Sequence, residues 1–137
     1  MTKRYANMAL VYAVAAMVCG VFYREYTKFS HFSGGTNLSV MHTHYFLLGM
    51  VFFFLLMTAE KGFGFSNRNT GKILLIYHIG LNVTELGFLM RGLNQVWGTE
   101  LSSAMDASIS GISGIGHVLT GVCLILVLLQ VRKRAQE

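Results

Sequence analysis

Long apolar runs along the chain are separated by short polar connections. None of the runs contains proline, and each is close to the roughly 20 residues that a helix needs to cross a membrane. Inside the hydrocarbon core every backbone polar group must be satisfied within the protein, which favours helices. The pattern therefore predicts one all-α domain over residues 1–137, with four spans at about residues 5–23, 38–59, 73–90 and 109–131.

Short connections between the spans predict an integral membrane four-helix bundle with up-down-up-down topology. The basic residues predict its orientation, because cytoplasmic loops carry an excess of Lys and Arg. Of the 11 Lys and Arg residues, only Arg24, Lys28 and Arg91 fall on one side of the predicted bundle. Both termini are therefore expected to be cytoplasmic, on the side that carries Lys3, Arg4, Lys61, Arg68, Lys72, Arg132, Lys133 and Arg134.

Composition supports a membrane protein. The chain is 53% hydrophobic and 12% charged, whereas a soluble domain carries about 25% charged residues. The net charge of +5 follows from the basic ends of the spans, so the expected partner is the lipid bilayer and not nucleic acid. Cys19 and Cys123 lie in apolar segments without a CxxC motif, which gives no support to a zinc knuckle or a redox dithiol.

Ionisable residues inside a membrane span are costly and are functional candidates by default. On the 1.5 Å rise of a helix, His44 and His117 lie at similar depths, roughly 6–7 Å from the centres of their spans towards the outer side. Two imidazoles from two helices at one level are what the axial ligation of a haem requires. The candidates are His42, His44, His78, Glu85 and His117, whereas His31 falls in a loop and is expected to be solvated.

The surroundings of His117 fit a flat macrocycle. Gly114 and Gly121 share its helical face and would allow a porphyrin to lie close to the backbone. The alternative is a small-residue seam between helices, with a histidine that is hydrogen-bonded within it.

The other polar residues leave more than one interpretation open. His78 and Glu85 share one stripe of the third span, where Glu85 would either hydrogen-bond a ligating histidine or be a buried, protonated carboxylic acid. His78 is either a ligand at a lower level, which would admit a second haem, or a core histidine. His42 points about 200° away from His44, which favours a contact with a neighbouring helix over a shared metal site. Arg91 is placed to pair with haem propionates or to anchor the membrane interface.

The motifs Met41-His-Thr-His44-Tyr-Phe, Tyr77-His78-Ile-Gly-Leu-Asn82 with Glu85, and Gly114-Ile-Gly-His117 resemble a family of small bacterial four-span proteins catalogued as a domain of unknown function. The resemblance covers nearly the whole chain and implies haem binding with a haem-sensing or haem-tolerance role in Gram-positive bacteria. The arrangement is also similar to a reduced cytochrome b561, although two clear histidine pairs at two levels are missing.

The sequence thus predicts a bacterial plasma-membrane protein that binds haem b and senses, buffers or uses haem under haem or oxidative stress. One alternative is a redox enzyme or an electron-transfer subunit. If the protein is an enzyme, it is expected to be a haem-dependent oxidoreductase. Another is a copper or zinc site built from His42, His44, Glu85 and His117, and a third is a transporter with Glu85 as a proton relay. No hydrolase motif is present. A homo-oligomer and a second haem both stay open.

Overall fold

The protein is all-helical in the computed structural model, which describes residues 1–136. Four helices are long and apolar enough to cross a membrane, and each predicted span lies inside one of them. This is the architecture of a multi-pass membrane protein. The helices are α1 (Thr2–Phe29), α2 (Leu38–Phe63), α3 (Thr70–Trp97) and α4 (Ser103–Ala135).

The helices extend beyond the apolar runs, because polar residues at their ends keep helical geometry. The connection predicted over residues 91–108 is wrong for that reason, and residues 98–102 alone join α3 to α4. Gly98 ends α3 with a φ of 64°, a left-handed conformation that costs glycine little. Ser102 caps α4 by accepting a hydrogen bond from the backbone N–H of Met105 at 3.3 Å.

α3 packs most extensively against α4, and these two helices run antiparallel, because Gly80 meets Thr120 while Gly87 meets Ser113. A Cβ atom built on Gly116 would lie 2.8 Å from the carbonyl oxygen of Gly80 and 2.6 Å from Oγ1 of Thr84. The two backbones therefore approach as closely as small residues permit, as expected for helix contacts in lipid. The glycines that the sequence spaces one heptad apart on α3, Gly80 and Gly87, both lie at this contact.

A π-helical segment, Tyr45–Val51, interrupts α2 directly after His44. The wider turn presents backbone carbonyls to neighbouring helices, and the Tyr77 hydroxyl donates a hydrogen bond to the carbonyl oxygen of Leu48 at 2.6 Å. Such segments are frequent at functional sites. Here the segment marks the point where α2 passes from the apolar core to a more polar part of the bundle.

The apolar core fills the half of the bundle that contains both chain ends, here called the terminal half. Its centre is aromatic, with Tyr12 stacked on Phe53 at 5.8 Å between ring centroids. No member of the main buried cluster belongs to the opposite half, here called the distal half, among residues 1–136. The distal half is therefore the part of the molecule with room for a functional site.

Candidate functional site

A cleft of about 270 Å³ opens in the distal half beside His117, and the ring of His44 on α2 lies near that of His117 without lining the cleft. We call this cleft, together with His44, the histidine groove. His117 is exposed in the groove and His44 is half-buried. The residues lining the cleft come from α3, α4 and the start of α2: Asn37, Gly87, Phe88, Arg91, Ser110, Ser113, Gly114 and His117.

The rings of His44 and His117 lie 5.8 Å apart between centroids, with their planes at 89°. An imidazole–metal bond is about 2 Å long, so two imidazoles on opposite sides of one metal ion have ring centres about 6 Å apart. Perpendicular planes are compatible with such a pair, because each ring can rotate about its own bond to the metal. The spacing of the two rings is therefore compatible with two imidazole ligands on one metal ion.

Both histidines are held by the same local hydrogen bond. Nδ1 of His44 lies 3.2 Å from the carbonyl oxygen of Val40, and Nδ1 of His117 lies 3.1 Å from that of Ser113. A carbonyl can only accept, so each Nδ1 carries the proton and each Nε2 keeps its lone pair. A backbone hydrogen bond of this kind fixes the tautomer and the ring orientation of a metal-ligating histidine.

Phe88 forms an apolar wall that contacts both histidines. Its ring lies 4.9 Å from that of His44 and 5.6 Å from that of His117, edge-on in both cases. A porphyrin held by both histidines would occupy the space of this ring, so haem binding between them requires Phe88 to turn aside. The sequence carries no signal for Phe88 beyond its position one turn after Glu85 on α3. A Cβ atom on Gly114, which lines the cleft, would meet nothing within 4 Å among residues 1–136, and the same holds for Gly121, which does not line it.

Arg91 lies at the mouth of the groove and is bonded to α4. Its Nη2 donates to Oδ1 of Asp106 at 2.5 Å and to Oγ of Ser110 at 2.7 Å. The arginine predicted to meet haem propionates therefore lines the groove, but it is paired with an acid.

His78 lies in the terminal half, within the aromatic core. Its ring stacks on Phe53 at 4.8 Å, and its Nδ1 lies 2.6 Å from the Tyr12 hydroxyl. The amide nitrogen of Asn82 donates to the carbonyl of His78 and to the Tyr12 oxygen, so the Tyr12 hydroxyl is left to donate to Nδ1. His78 then carries its proton on Nε2, the opposite tautomer to that of His44 and His117, which favours a core histidine over a ligand.

We expect His78→Ala to leave any haem spectrum unchanged while it lowers stability. The Tyr12 hydroxyl would lose its acceptor, at a cost of about 1–3 kcal/mol in the free energy of unfolding, and the stacking on Phe53 would be lost as well. Tyr12→Phe removes only the hydrogen bond and serves as the matched variant. Unfolding of both variants in mixed micelles, with absorption spectra, measures the effect. If His78→Ala loses haem while Tyr12→Phe retains it, His78 is a ligand and not a core histidine.

His42 and Glu85 lie away from the groove. His42 packs against Gly20 of α1, with 3.6 Å between its Cβ and a Cβ built on that glycine, so the two histidines of α2 do face different sides. Glu85 is 1% exposed. Nδ1 of His42 and both carboxyl oxygens of Glu85 are buried without a hydrogen-bond partner in the part of the chain that the structure describes.

The expected hydrogen bond from Glu85 to a ligating histidine is therefore not formed between the described residues. This hydrogen bond is missing because the Nδ1 atoms of His44 and His117 are already bonded to carbonyls of their own helices. Within residues 1–136, no three side chains of His, Cys, Asp or Glu converge closely enough to hold a metal ion.

The fold and this pair of histidines define a multi-pass membrane protein with a polar groove inside its distal half. Residues 2–134 match the family described as a protein of unknown function, DUF2871, and the chain belongs to that family. No curated protein and no solved structure matches the chain.

Proposed function

We propose that this protein binds haem b inside the membrane, with His44 and His117 as the axial ligands, and that it senses, buffers or uses haem in tolerance of haem or oxidative stress. The observation that carries the proposal is the histidine pair itself. The rings come from two helices, lie 5.8 Å apart, and each keeps the lone pair of Nε2 available through the bond at Nδ1.

The composition of the groove favours haem over a bare metal ion. Copper or zinc would need at least one further protein ligand, and no group of three candidate ligands converges among the described residues. A porphyrin supplies the remaining ligands itself, so two histidines are sufficient. An imidazole that faces lipid is also costly, and a macrocycle lying along Gly114 and Gly121 would cover the exposed ring of His117.

The residues around the histidine pair would orient the ligands and shape the space that the cofactor occupies. The carbonyls of Val40 and Ser113 orient the two imidazoles, and Phe88, whose ring contacts both, would turn aside to admit a macrocycle between them. When bound, haem supplies a redox-active iron whose potential depends on these ligands and on burial.

Electron transfer is the second candidate, and the same pair favours it. Two histidine ligands leave no iron position open for a substrate, which suits electron transfer, buffering or sensing better than catalysis. The charge distribution supports an orientation with both termini in the cytoplasm. In that orientation, in the plasma membrane of a bacterium, the groove lies towards the outer side.

Purification in mild detergent tests the proposal. We expect a Soret band, bands that sharpen on reduction, and about one haem per chain by the pyridine haemochrome assay, because one histidine pair holds one iron. Protein from cells grown with surplus haem precursor, and apoprotein reconstituted with haemin, should agree. A colourless preparation that takes up copper or zinc but no haemin would contradict the proposal.

A further inference from the structure

A second cleft lies at the opposite end of the bundle from the histidine groove, between the connection from α2 to α3 and the end of α4. Its volume is about 250 Å³, a little below the roughly 300–1,000 Å³ of pockets that enclose drug-sized ligands. We call it the terminal cleft, and its lining is Phe65, Ser66, Asn67, Gln130, Lys133 and Arg134. Two of these side chains are cations, and none of the described residues that line the cleft is acidic.

The wall formed by the connection is held in place by the apolar core. Phe65 is 2% exposed, and its ring stacks on that of Tyr5 at 6.0 Å between centroids. The hydroxyls of Tyr5 and Ser66 lie 2.6 Å apart. The backbone N–H of Ser66 donates to Oε2 of Glu60 at 3.0 Å, and this acid does not line the cleft. The wall is therefore preformed and does not have to be ordered by a ligand.

The two amide side chains of the cleft are oriented by hydrogen bonds. Thr70 is fully buried, and its Oγ1 accepts from the backbone N–H of Asn67 at 2.9 Å and donates to Oε1 of Gln130 at 2.7 Å. Oδ1 of Asn67 accepts from the backbone N–H of Asn69 at 2.8 Å. Both amide oxygens are thus used within the protein, so Asn67 and Gln130 offer a ligand their NH₂ donors. Together with the Lys133 ammonium, which can only donate, they match an anion with several oxygens.

The surface of α4 that leads from the cleft towards the middle of the membrane is apolar. Leu126 precedes Gln130 by one turn and Leu129 precedes Lys133 by one turn, and these leucines are 42% and 46% exposed. One turn of helix rises about 6 Å, so the leucines lie directly beside the cleft on its membrane side. A free anion would use the cleft alone, whereas an amphiphilic anion would cover the cleft and this surface together.

We propose that the terminal cleft binds the phosphate headgroup of an anionic phospholipid, with the acyl chains lying along Leu126 and Leu129. Asn67 and Gln130 donate to the phosphate oxygens, and Lys133 supplies the positive charge. Basic pockets at the ends of membrane helices bind such headgroups. The excess of basic residues at this end also follows the orientation rule for membrane proteins, but that rule requires neither a cleft nor oriented amide donors. The site uses no residue of the histidine groove and is independent of haem.

The test compares phosphatidylglycerol, which is anionic, with phosphatidylcholine, which has no net charge. Purified protein in a neutral detergent is titrated with each lipid, and native mass spectrometry gives the fraction of chains with one bound lipid. We expect the wild type to prefer phosphatidylglycerol by about tenfold or more. Gln130→Glu keeps the oxygen that accepts from Thr70 and replaces the NH₂ donor by a negatively charged oxygen, so it should abolish the preference. Lys133→Gln should lower the preference about fivefold, as expected for one basic residue at a membrane surface.

Two control variants change the charge of the same end of the bundle outside the cleft. Gln136→Glu adds a negative charge at the end of α4, and Lys72→Gln removes a positive charge at the start of α3, and neither residue lines the cleft. Both should keep the preference of the wild type. Because each variant is its own reference for the two lipids, general effects on folding cancel in the ratio. Equal loss of preference in the cleft and control variants would overturn the site, since diffuse attraction would then explain the binding.

A further arm of the experiment separates a lipid from a free phosphate. Inorganic phosphate and glycerol phosphate, each in excess over the lipid, should leave phosphatidylglycerol bound, because neither has acyl chains to cover the apolar surface of α4. Displacement of the lipid by either anion would show that the cleft takes a free phosphate, and the assignment to a phospholipid would be wrong. A wild type that does not distinguish the two lipids would overturn the proposal as well.

Discussion

His44→Ala and His117→Ala should each lower haem affinity by more than about a hundredfold or convert the haem to a high-spin form. Loss of an outer partner of a metal ligand already costs about 10–100-fold, and loss of the ligand itself must cost more. Each remaining imidazole would still be oriented by its own carbonyl, so the defect should lie in ligation and not in folding. Haemin titration and the absorption spectrum of the purified variants measure the effect.

Two controls make this result specific. His31→Ala should change nothing, because His31 is exposed in the loop between α1 and α2. His117→Gly should regain a low-spin spectrum when imidazole is added, since a free imidazole can then occupy the vacated position. If both core variants keep the native spectrum and affinity, then the axial pair is assigned incorrectly.

Gly116→Ala should destabilise the bundle by about 1–3 kcal/mol in the free energy of unfolding, as overpacking of a close contact usually does. The added methyl group would lie 2.6 Å from Oγ1 of Thr84 and 2.8 Å from the carbonyl oxygen of Gly80. Neither helix backbone can move without separating α3 from α4. Unfolding of the apoprotein in mixed micelles, followed by circular dichroism, measures the loss.

Gly111→Ala is the matched control on the same helix. Its Cβ atom would meet nothing within 4 Å among the described residues, and alanine is a better helix former than glycine. We expect no loss of stability. Equal destabilisation by the two substitutions would show that helix propensity, and not the contact between α3 and α4, decides the outcome.

Much of the architecture followed from the order of polar and apolar residues. Length and hydropathy are sufficient to predict four helices, because the hydrocarbon core sets both the length and the bonding of a span. The similar depth of His44 and His117 also followed, since a constant helical rise converts sequence position into depth. Which side of the membrane holds the termini stays a prediction from the charges.

Helix ends were less predictable than helix centres. The end of α3 and the start of α4 contain polar residues such as Arg91 and Asp106, which an apolar window leaves out. Their helical geometry brings these two side chains together across the pair of helices. The ion pair between Arg91 and Asp106 therefore could not be predicted from hydropathy.

The rotation of each helix about its own axis was decided by tertiary packing. From sequence, Ser113, Gly114, His117 and Thr120 belong to one face of α4. In the structure Thr120 lies against Gly80 and Ser113 lies between Gly87 and the cleft, while Gly114 and His117 line the cleft. A helical period assigns residues to a face, but the neighbouring helix decides which edge of that face is packed.

The chemistry of each histidine depended on the tertiary structure for the same reason. The sequence by itself determined that four histidines and Glu85 lie in spans where their burial is costly. It could not distinguish His78 from the pair, because the proton on each ring is assigned by its partner: the Tyr12 hydroxyl for His78, and a carbonyl of the same helix for His44 and His117. Such partners are set by side-chain conformation and by helices distant in sequence, which is information that the order of residues along one helix does not contain.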